Sequence, residues 1–144
     1  MPSPGQILFH KHFPYKDGTH GEKLLVVLNT ADLDTPCLVL KTTKRPKRYI
    51  GSVQGCNVDK KVFHTPQKWQ PCFLVDTYIQ LPEIFEIPTS KLLQGSIAKD
   101  IAFLEQPLSP DCFEQLLNCL RQFEDDIREG HWNLIFNENK PKRK

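Results

Sequence analysis

Two almost wholly apolar runs of strand length place the strongest constraint on how this 144-residue chain can fold. Residues 23–29 read KLLVVLN and residues 37–40 read CLVL, with turn-forming residues at 32–36 between them. Runs this short and this apolar are typical of β-strands buried on both faces, because neither face is left polar. Further strands are predicted at 6–10, 72–81 and 84–87, and the polar segments 12–21 and 41–48 are predicted to be loops.

The chain changes character after Pro107, where the pattern predicts one amphipathic helix over residues 109–129. Ser109 is placed to cap its N terminus, Pro110 fits the first helical position, and Gly130 is expected to end it. One apolar stripe follows its length, formed by Phe113, Leu116, Leu117, Leu120, Phe123 and Ile127. Short strands followed by one helix predict a mainly β (α+β) fold, a small barrel or curled sheet with the helix packed on it.

The length fits one domain over residues 1–136, followed by a basic, flexible tail at 137–144. The formal net charge of +2 conceals three blocks: residues 1–68 carry 11 Lys/Arg against 5 Asp/Glu, residues 69–136 carry 4 against 11, and residues 137–144 carry 4 against 1. A basic block of this kind suggests that one face of the molecule meets a polyanion.

The five cysteines are spread along the chain without paired spacing. The absence of paired spacing favours reduced, mostly buried thiols over a disulfide framework or a zinc site. No apolar run approaches the roughly 20 residues of a membrane span, and no secretory signal is recognised. A cytoplasmic protein without membrane contact is therefore expected.

The segment 41–48 (KTTKRPKR) is the clearest chemical feature, with five cations among eight residues. Cations and hydroxyls together can neutralise phosphate and hydrogen-bond to it, although a solvated charged loop is an equally good interpretation. Four histidines also lie in the basic half, but no third ligand stands at a familiar spacing, so no metal site is expected. No nucleophile elbow, P-loop or dinucleotide fingerprint is present, which argues against the common hydrolases, NTPases and dehydrogenases.

Several segments, in this order, resemble the MazF/PemK-type toxins, the ribonuclease components of bacterial toxin–antitoxin pairs. Residues 5–9 (GQILF) resemble the family's opening glycine and first strand, and residues 12–18 and 21–29 (HFPYKDG and GEKLLVVLN) resemble its first loop and second strand. Residues 37–43 (CLVLKTT) are similar to its third strand, and residues 107–111 (PLSPD) with the following helix are similar to its late helix. A weaker similarity covers residues 74–79 (LVDTYI).

The resemblance implies a small SH3-like barrel that forms a homodimer and is neutralised by a cognate antitoxin protein. It also implies cleavage of single-stranded RNA without a metal or other cofactor, by attack of the ribose 2′-OH on the adjacent phosphate. The family's Arg at the head of the second strand corresponds to Lys23, and its Thr/Ser at the end of the third corresponds to Thr42. These two residues are the expected catalytic pair. The expected RNA-binding residues are Lys16, Lys41, Thr43, Lys44, Arg45, Lys47 and Arg48.

Lys23 followed by Leu24 departs from the family's Arg followed by Pro, and lysine lacks the planar fork that grips phosphate through two donors. The departure motivates an alternative: a domain of the same fold, impaired in catalysis, that binds nucleic acid or a protein partner. A third hypothesis is an interaction module whose acidic helix face recruits a basic partner.

Overall fold

The computed structural model describes residues 2–66, 70 and 73–138, apart from the side chains of Pro46 and Arg48. One antiparallel sheet dominates this part of the chain, accompanied by three α-helices. The strands are β1 (Ile7–Pro14), β2 (His20–Val27), β3 (Cys37–Thr43), β4 (Gly55–Asn57), β5 (Val62–Thr65), β6 (Thr77–Ile87) and β7 (Ile101–Phe103). The helices are α1 (Thr89–Ile97), α2 (Pro110–Arg121) and α3 (Glu129–Phe136), with short 3-10 helices at Pro46–Tyr49 and Glu124–Asp126. The predicted mainly β, α+β class is confirmed.

The strand order is β4-β5-β6-β3-β2-β1-β7, so the two apolar runs of the sequence form the neighbouring central strands β2 and β3. The sheet stays open, because β4 and β7 are separate edges of the described part. Both edge strands are only three residues long, and such short edges limit unwanted pairing with other chains.

The two central strands are buried on both faces, as their composition predicts. On β2, Val26 belongs to a core cluster with helices α2 and α3, whereas Leu25 and Val27 belong to a second cluster with helix α1. All three side chains are fully buried. Alternate residues of a strand point to opposite faces, so a run without polar positions can supply two cores at once.

The C-terminal helical region departs from the prediction. Ser109 caps α2 by accepting a hydrogen bond from the Cys112 amide at 3.2 Å, as expected, and Pro110 follows it at the start of the helix. The helix ends at Arg121, however, and a 3-10 helix and α3 replace its predicted continuation to residue 129. Extended backbone at Ile127 and Arg128 separates these last two helices, and Gly130 lies inside α3. Most of the predicted basic tail, at 139–144, lies outside the described residues.

Several predicted boundaries in the first two-thirds are also wrong. The predicted loops 12–21 and 41–48 both contain strand residues, because β1 runs to Pro14, β2 starts at His20 and β3 runs to Thr43. The predicted strands 72–81 and 84–87 form one strand, β6, that starts at Thr77, and Cys72 lies outside the described residues. Strands β4, β5 and β7 and helices α1 and α3 were not predicted at all.

The expectation of reduced cysteines is wrong for one pair. Cys56 of β4 and Cys119 of α2 form a disulfide, with their Cα atoms 5.6 Å apart. The partners are 63 positions apart in the sequence, so spacing alone could not reveal a pairing that depends on the packing of α2 against β4. Cys37 is a buried free thiol, as expected, and Cys112 is also buried.

Candidate functional site

A pocket of about 310 Å³ opens where β2 begins and β3 ends. It is lined by Phe9, Tyr15, Glu22, Lys23, Leu24, Thr42, Thr43, Lys44 and Arg45. Five of these nine residues were predicted from the sequence: both expected catalytic residues and three of the expected RNA-binding residues. Three cations and one carboxylate lie among them, which makes the pocket attractive to an anion.

The register of the central strands explains why these residues meet. Leu25 pairs with Lys41 in the antiparallel β2–β3 ladder. Continuing this register toward the start of β2 places Leu24 beside Thr42 and Lys23 beside Thr43. The strands therefore bring together two groups of residues that are nearly twenty positions apart in the sequence.

The Lys23 side chain is held over the end of β3. Its ammonium group donates a hydrogen bond of 2.9 Å to the main-chain carbonyl of Thr42 and lies 5.7 Å from the centroid of the Tyr15 ring. An ammonium group has three donors, so its bond to a carbonyl is compatible with a further bond to an anion. The contact fixes a positive charge at the pocket wall.

The Thr42 side chain is almost fully buried at the end of β3, at 4% exposure. Its hydroxyl donates a hydrogen bond of 2.8 Å to the main-chain carbonyl of Leu24. The hydroxyl proton is therefore used within the protein, and only the oxygen lone pairs remain for another partner. This hydrogen bond links β3 to β2 beside the pocket.

Thr43 and the two cations after it form the outer wall of the pocket. The Thr43 hydroxyl accepts a hydrogen bond of 3.3 Å from the Arg45 amide, which leaves its own proton as a donor. Lys44 and Arg45 are exposed at the rim. A hydroxyl donor beside two cations is an arrangement that suits a phosphate group.

The sequence analysis missed two pocket residues whose side chains can bind or react with a ligand. Tyr15 contributes an aromatic ring to the pocket. This ring packs closely over Gly21, because a Cβ atom added to Gly21 would lie only 2.7 Å from the Tyr15 hydroxyl. Glu22 supplies the carboxylate of the pocket. Both stand beside recognised motifs, Tyr15 within HFPYKDG and Glu22 directly before Lys23, but only the pairing of β1 with β2 places them in one pocket.

Two predicted RNA-binding lysines lie elsewhere. The Lys41 ammonium is 3.8 Å from one carboxylate oxygen of Glu83 and 4.9 Å from the centroid of the Phe85 ring. The Lys16 ammonium is 3.4 Å from the other carboxylate oxygen of Glu83. Neither Lys16 nor Lys41 is among the residues that line the pocket.

The last two predicted cations follow the pocket in the chain. Lys47 is exposed on the 3-10 helix Pro46–Tyr49 and is not part of the pocket lining. Arg48 belongs to the same helix, and its side chain lies outside the described part of the structure.

The histidines of β1 are separate from the pocket. The ring of His12 lies 3.5 Å from the Asp100 carboxylate, and burial lowers the pKa of His10 below its ordinary value of 6.5. Within residues 2–66, 70 and 73–138, no group of three or more His, Cys, Asp or Glu side chains is placed to hold a metal ion. In the same part of the chain, no helix has the length and apolar character needed to cross a bilayer.

Comparison with known proteins adds no further assignment. No family model, no curated protein and no solved structure matches this chain. Its functional interpretation therefore rests on the geometry of its own residues, and the resemblance to MazF/PemK-type toxins stays a prediction.

Proposed function

We propose that this protein is a metal-independent endoribonuclease that cleaves single-stranded RNA, as the toxin of a type II toxin–antitoxin pair. The observation that carries the proposal is the convergence of Lys23, Thr43, Lys44 and Arg45 on one pocket that also holds a carboxylate. Cations and a hydroxyl donor match the needs of a phosphodiester, and the carboxylate is a ready proton acceptor.

In the proposed reaction, the ribose 2′-OH attacks phosphorus while Glu22 accepts its proton. The bond from phosphorus to the 5′ oxygen breaks, and Lys23 donates a proton to that oxygen. The products are a 2′,3′-cyclic phosphate and a 5′-hydroxyl. Lys44 and Arg45 neutralise the pentavalent phosphate, Thr43 donates a hydrogen bond to it, and Tyr15 offers a ring on which a base can stack.

Thr42 has a different role from the one that the family resemblance implies. Because its hydroxyl donates to Leu24, it stabilises the strand pair and presents its carbonyl to the Lys23 ammonium. The SH3-like barrel of that family and a homodimer remain parts of the proposal, whereas a cytoplasmic location no longer follows from the cysteines, because Cys56 and Cys119 form a disulfide. The expected antitoxin is a small acidic protein, since an acidic segment could cover the cations of the pocket.

The test is cleavage of a long single-stranded RNA by purified protein in EDTA. The variants Lys23→Ala and Glu22→Gln are each expected to reduce the rate by about 10²- to 10⁴-fold, the usual cost of a lost acid–base group. Lys91→Ala is the matched control, because it removes an exposed lysine of α1 outside the pocket. Equal rates for all three variants would contradict the proposed chemistry.

A second candidate function is RNA binding without cleavage, and the hydrogen bond from Lys23 to the Thr42 carbonyl favours it because it ties the ammonium to the protein. Binding alone predicts an affinity that falls steeply with salt, a loss of affinity in Lys44→Ala and Arg45→Ala, and no cyclic phosphate product at any protein concentration.

A further inference from the structure

A serine, a histidine and an aspartate outside the pocket form one hydrogen-bonded chain. The Ser52 Oγ lies 3.3 Å from His64 Nδ1, and His64 Nε2 lies 3.2 Å from Asp76 Oδ2. Ser52 comes from the loop before β4, His64 from β5, and Asp76 from the residue just before β6. Ser52 and His64 are 12 positions apart in the sequence, and so are His64 and Asp76, so only the fold brings the three side chains into contact.

The chemistry of the two partners defines what the His64 ring does. An ionised carboxylate can only accept, so Nε2 carries the proton and donates a hydrogen bond to Asp76. In the neutral ring, Nδ1 is then left with a lone pair directed at the Ser52 hydroxyl. A hydroxyl next to an imidazole lone pair, with the imidazole oriented by a carboxylate, is the arrangement that activates a serine nucleophile.

The His64 ring is held in this orientation by packing. Its side chain is only 12% exposed, and its ring centroid lies 4.5 Å from that of its cross-strand partner Tyr78. Tyr78 stacks in turn on Tyr49 at 5.4 Å, and the Tyr49 hydroxyl accepts a hydrogen bond of 3.0 Å from Gln80. A catalytic base needs such support, because its rotamer must be defined before the substrate arrives.

The serine end of the chain is both anchored and accessible. The Ser52 amide donates a hydrogen bond of 3.0 Å to the Tyr49 carbonyl, while its side chain is partly exposed. The residues that follow Ser52 and precede Asp76, Val53 and Val75, are exposed apolar side chains. A small molecule with an apolar acyl or aryl group can therefore approach the hydroxyl and gain contacts beside it.

We propose that Ser52, His64 and Asp76 form a second reactive site that takes acyl groups from small apolar esters. His64 Nδ1 removes the hydroxyl proton as Ser52 Oγ attacks the ester carbonyl carbon. The tetrahedral intermediate collapses, the bond to the leaving oxygen breaks, and the His64 ring returns the proton to that oxygen. Water, deprotonated by the same nitrogen, then attacks the carbonyl carbon of the acyl-serine. The bond from that carbon to Ser52 Oγ breaks, the His64 ring returns the proton to Oγ, and the acid leaves.

The test uses the full-length protein with two probes, p-nitrophenyl butyrate and an alkyl fluorophosphonate. We expect release of p-nitrophenolate and, after loss of fluoride, one phosphonyl group that peptide mass mapping places on Ser52. Ser52→Ala is expected to abolish labelling, and Asp76→Asn to slow it by about 10²-fold or more, because the ring loses its orienting acceptor. Ser96→Ala on α1 is the matched control for loss of an exposed serine.

Labelling of the wild-type protein decides the proposal without relying on any variant. No phosphonyl group on Ser52 at millimolar probe would overturn it, as would undiminished ester hydrolysis by a folded Ser52→Ala protein. Ser52→Ala is expected to cleave or bind RNA like the wild type, because Ser52 is outside the lining of the pocket at β2 and β3. Failure here therefore leaves the proposed ribonuclease function unaffected, and failure of that function leaves this site unaffected.

Discussion

The Lys23 ammonium and Thr42 meet through the main-chain carbonyl of Thr42, at 2.9 Å, and not through its hydroxyl. The hydroxyl instead donates to the Leu24 carbonyl at 2.8 Å, across the strand pair. The two residues that the family resemblance marks as catalytic are thus neighbours with different tasks. Lys23 faces the pocket as a charge, and Thr42 secures the strand that presents it.

Substitutions of the neighbouring residues Thr42 and Thr43 are expected to differ in their effects on stability and on RNA binding. Thr42→Val removes a buried hydroxyl and its hydrogen bond to Leu24, so it should lower the free energy of unfolding by about 1–2 kcal/mol. Thr43→Val should also cost up to about 1 kcal/mol, because the Arg45 amide loses its acceptor, but unlike Thr42→Val it should weaken RNA binding, since it removes a donor at the pocket wall. Urea denaturation and RNA binding at low salt measure the two effects. Equal unfolding midpoints for Thr42→Val and the wild type would rule out the structural role given to Thr42.

Gly21→Ala is expected to disturb the pocket without touching a charged group. A Cβ at this position would lie 2.7 Å from the Tyr15 hydroxyl, so the ring beside Lys23 must move. Because the displaced Tyr15 ring would no longer hold the substrate correctly, RNA cleavage should fall by about 10- to 100-fold. Gly130→Ala is the matched control: its Cβ would meet only the Arg128 side chain, at 4.0 Å, so activity should be unchanged. Full activity in Gly21→Ala would mean that Tyr15 does not contribute.

The disulfide between Cys56 and Cys119 is expected to contribute strongly to stability. It closes a loop with a sequence separation of 63, for which the chain-entropy model gives about 4 kcal/mol. Cys56→Ser and the double variant Cys56→Ser/Cys119→Ser should lose similar amounts, because either change removes the same bond. Urea denaturation of the oxidised proteins measures this loss. A double variant as stable as the oxidised wild type would show that the link contributes nothing.

The Cys37 thiol is expected to be inert in the folded protein. It is the first residue of β3 and is fully buried, and burial raises its pKa to about 12, so almost no thiolate exists at a pH of about 8. Iodoacetamide should leave Cys37 unmodified in buffer and alkylate it in concentrated urea, as followed by peptide mass mapping. Rapid alkylation under native conditions would contradict this burial.

His10 is expected to make the protein less stable as the solution becomes acidic. Burial lowers its pKa below 6.5, against the opposing charge of Asp100. The unfolded chain then takes up a proton at higher pH than the folded protein, so stability falls as pH drops from about 6.5 through the folded pKa. His10→Gln should remove this contribution, and a proton NMR titration of the His10 ring should give a midpoint below 6.5. A midpoint at that value would abolish the effect, and a midpoint above it would reverse the sign.

Local patterns in the sequence predicted the features that depend on short stretches of chain. The runs at 23–29 and 37–40 overlap the central strands β2 and β3, which are buried on both faces, and Ser109 and Pro110 begin a helix as their residue types predict. The helix end was missed because the apolar stripe continues through Phe123 and Ile127, which are buried in the same core although the helix has ended. Burial preserves the periodic pattern even where the backbone changes.

The sequence by itself determined that the chain is mainly β, that β2 and β3 lie at its centre, and that a basic segment leaves the end of β3. These follow from periodicity, capping and charge, which act over a few residues. Only the tertiary structure decided which cations share a pocket, that Lys41 pairs with Glu83 instead, that Cys56 bonds to Cys119, and that Ser52, His64 and Asp76 meet. Those contacts join residues that are distant in the sequence, and strand register and helix packing determine which of them meet.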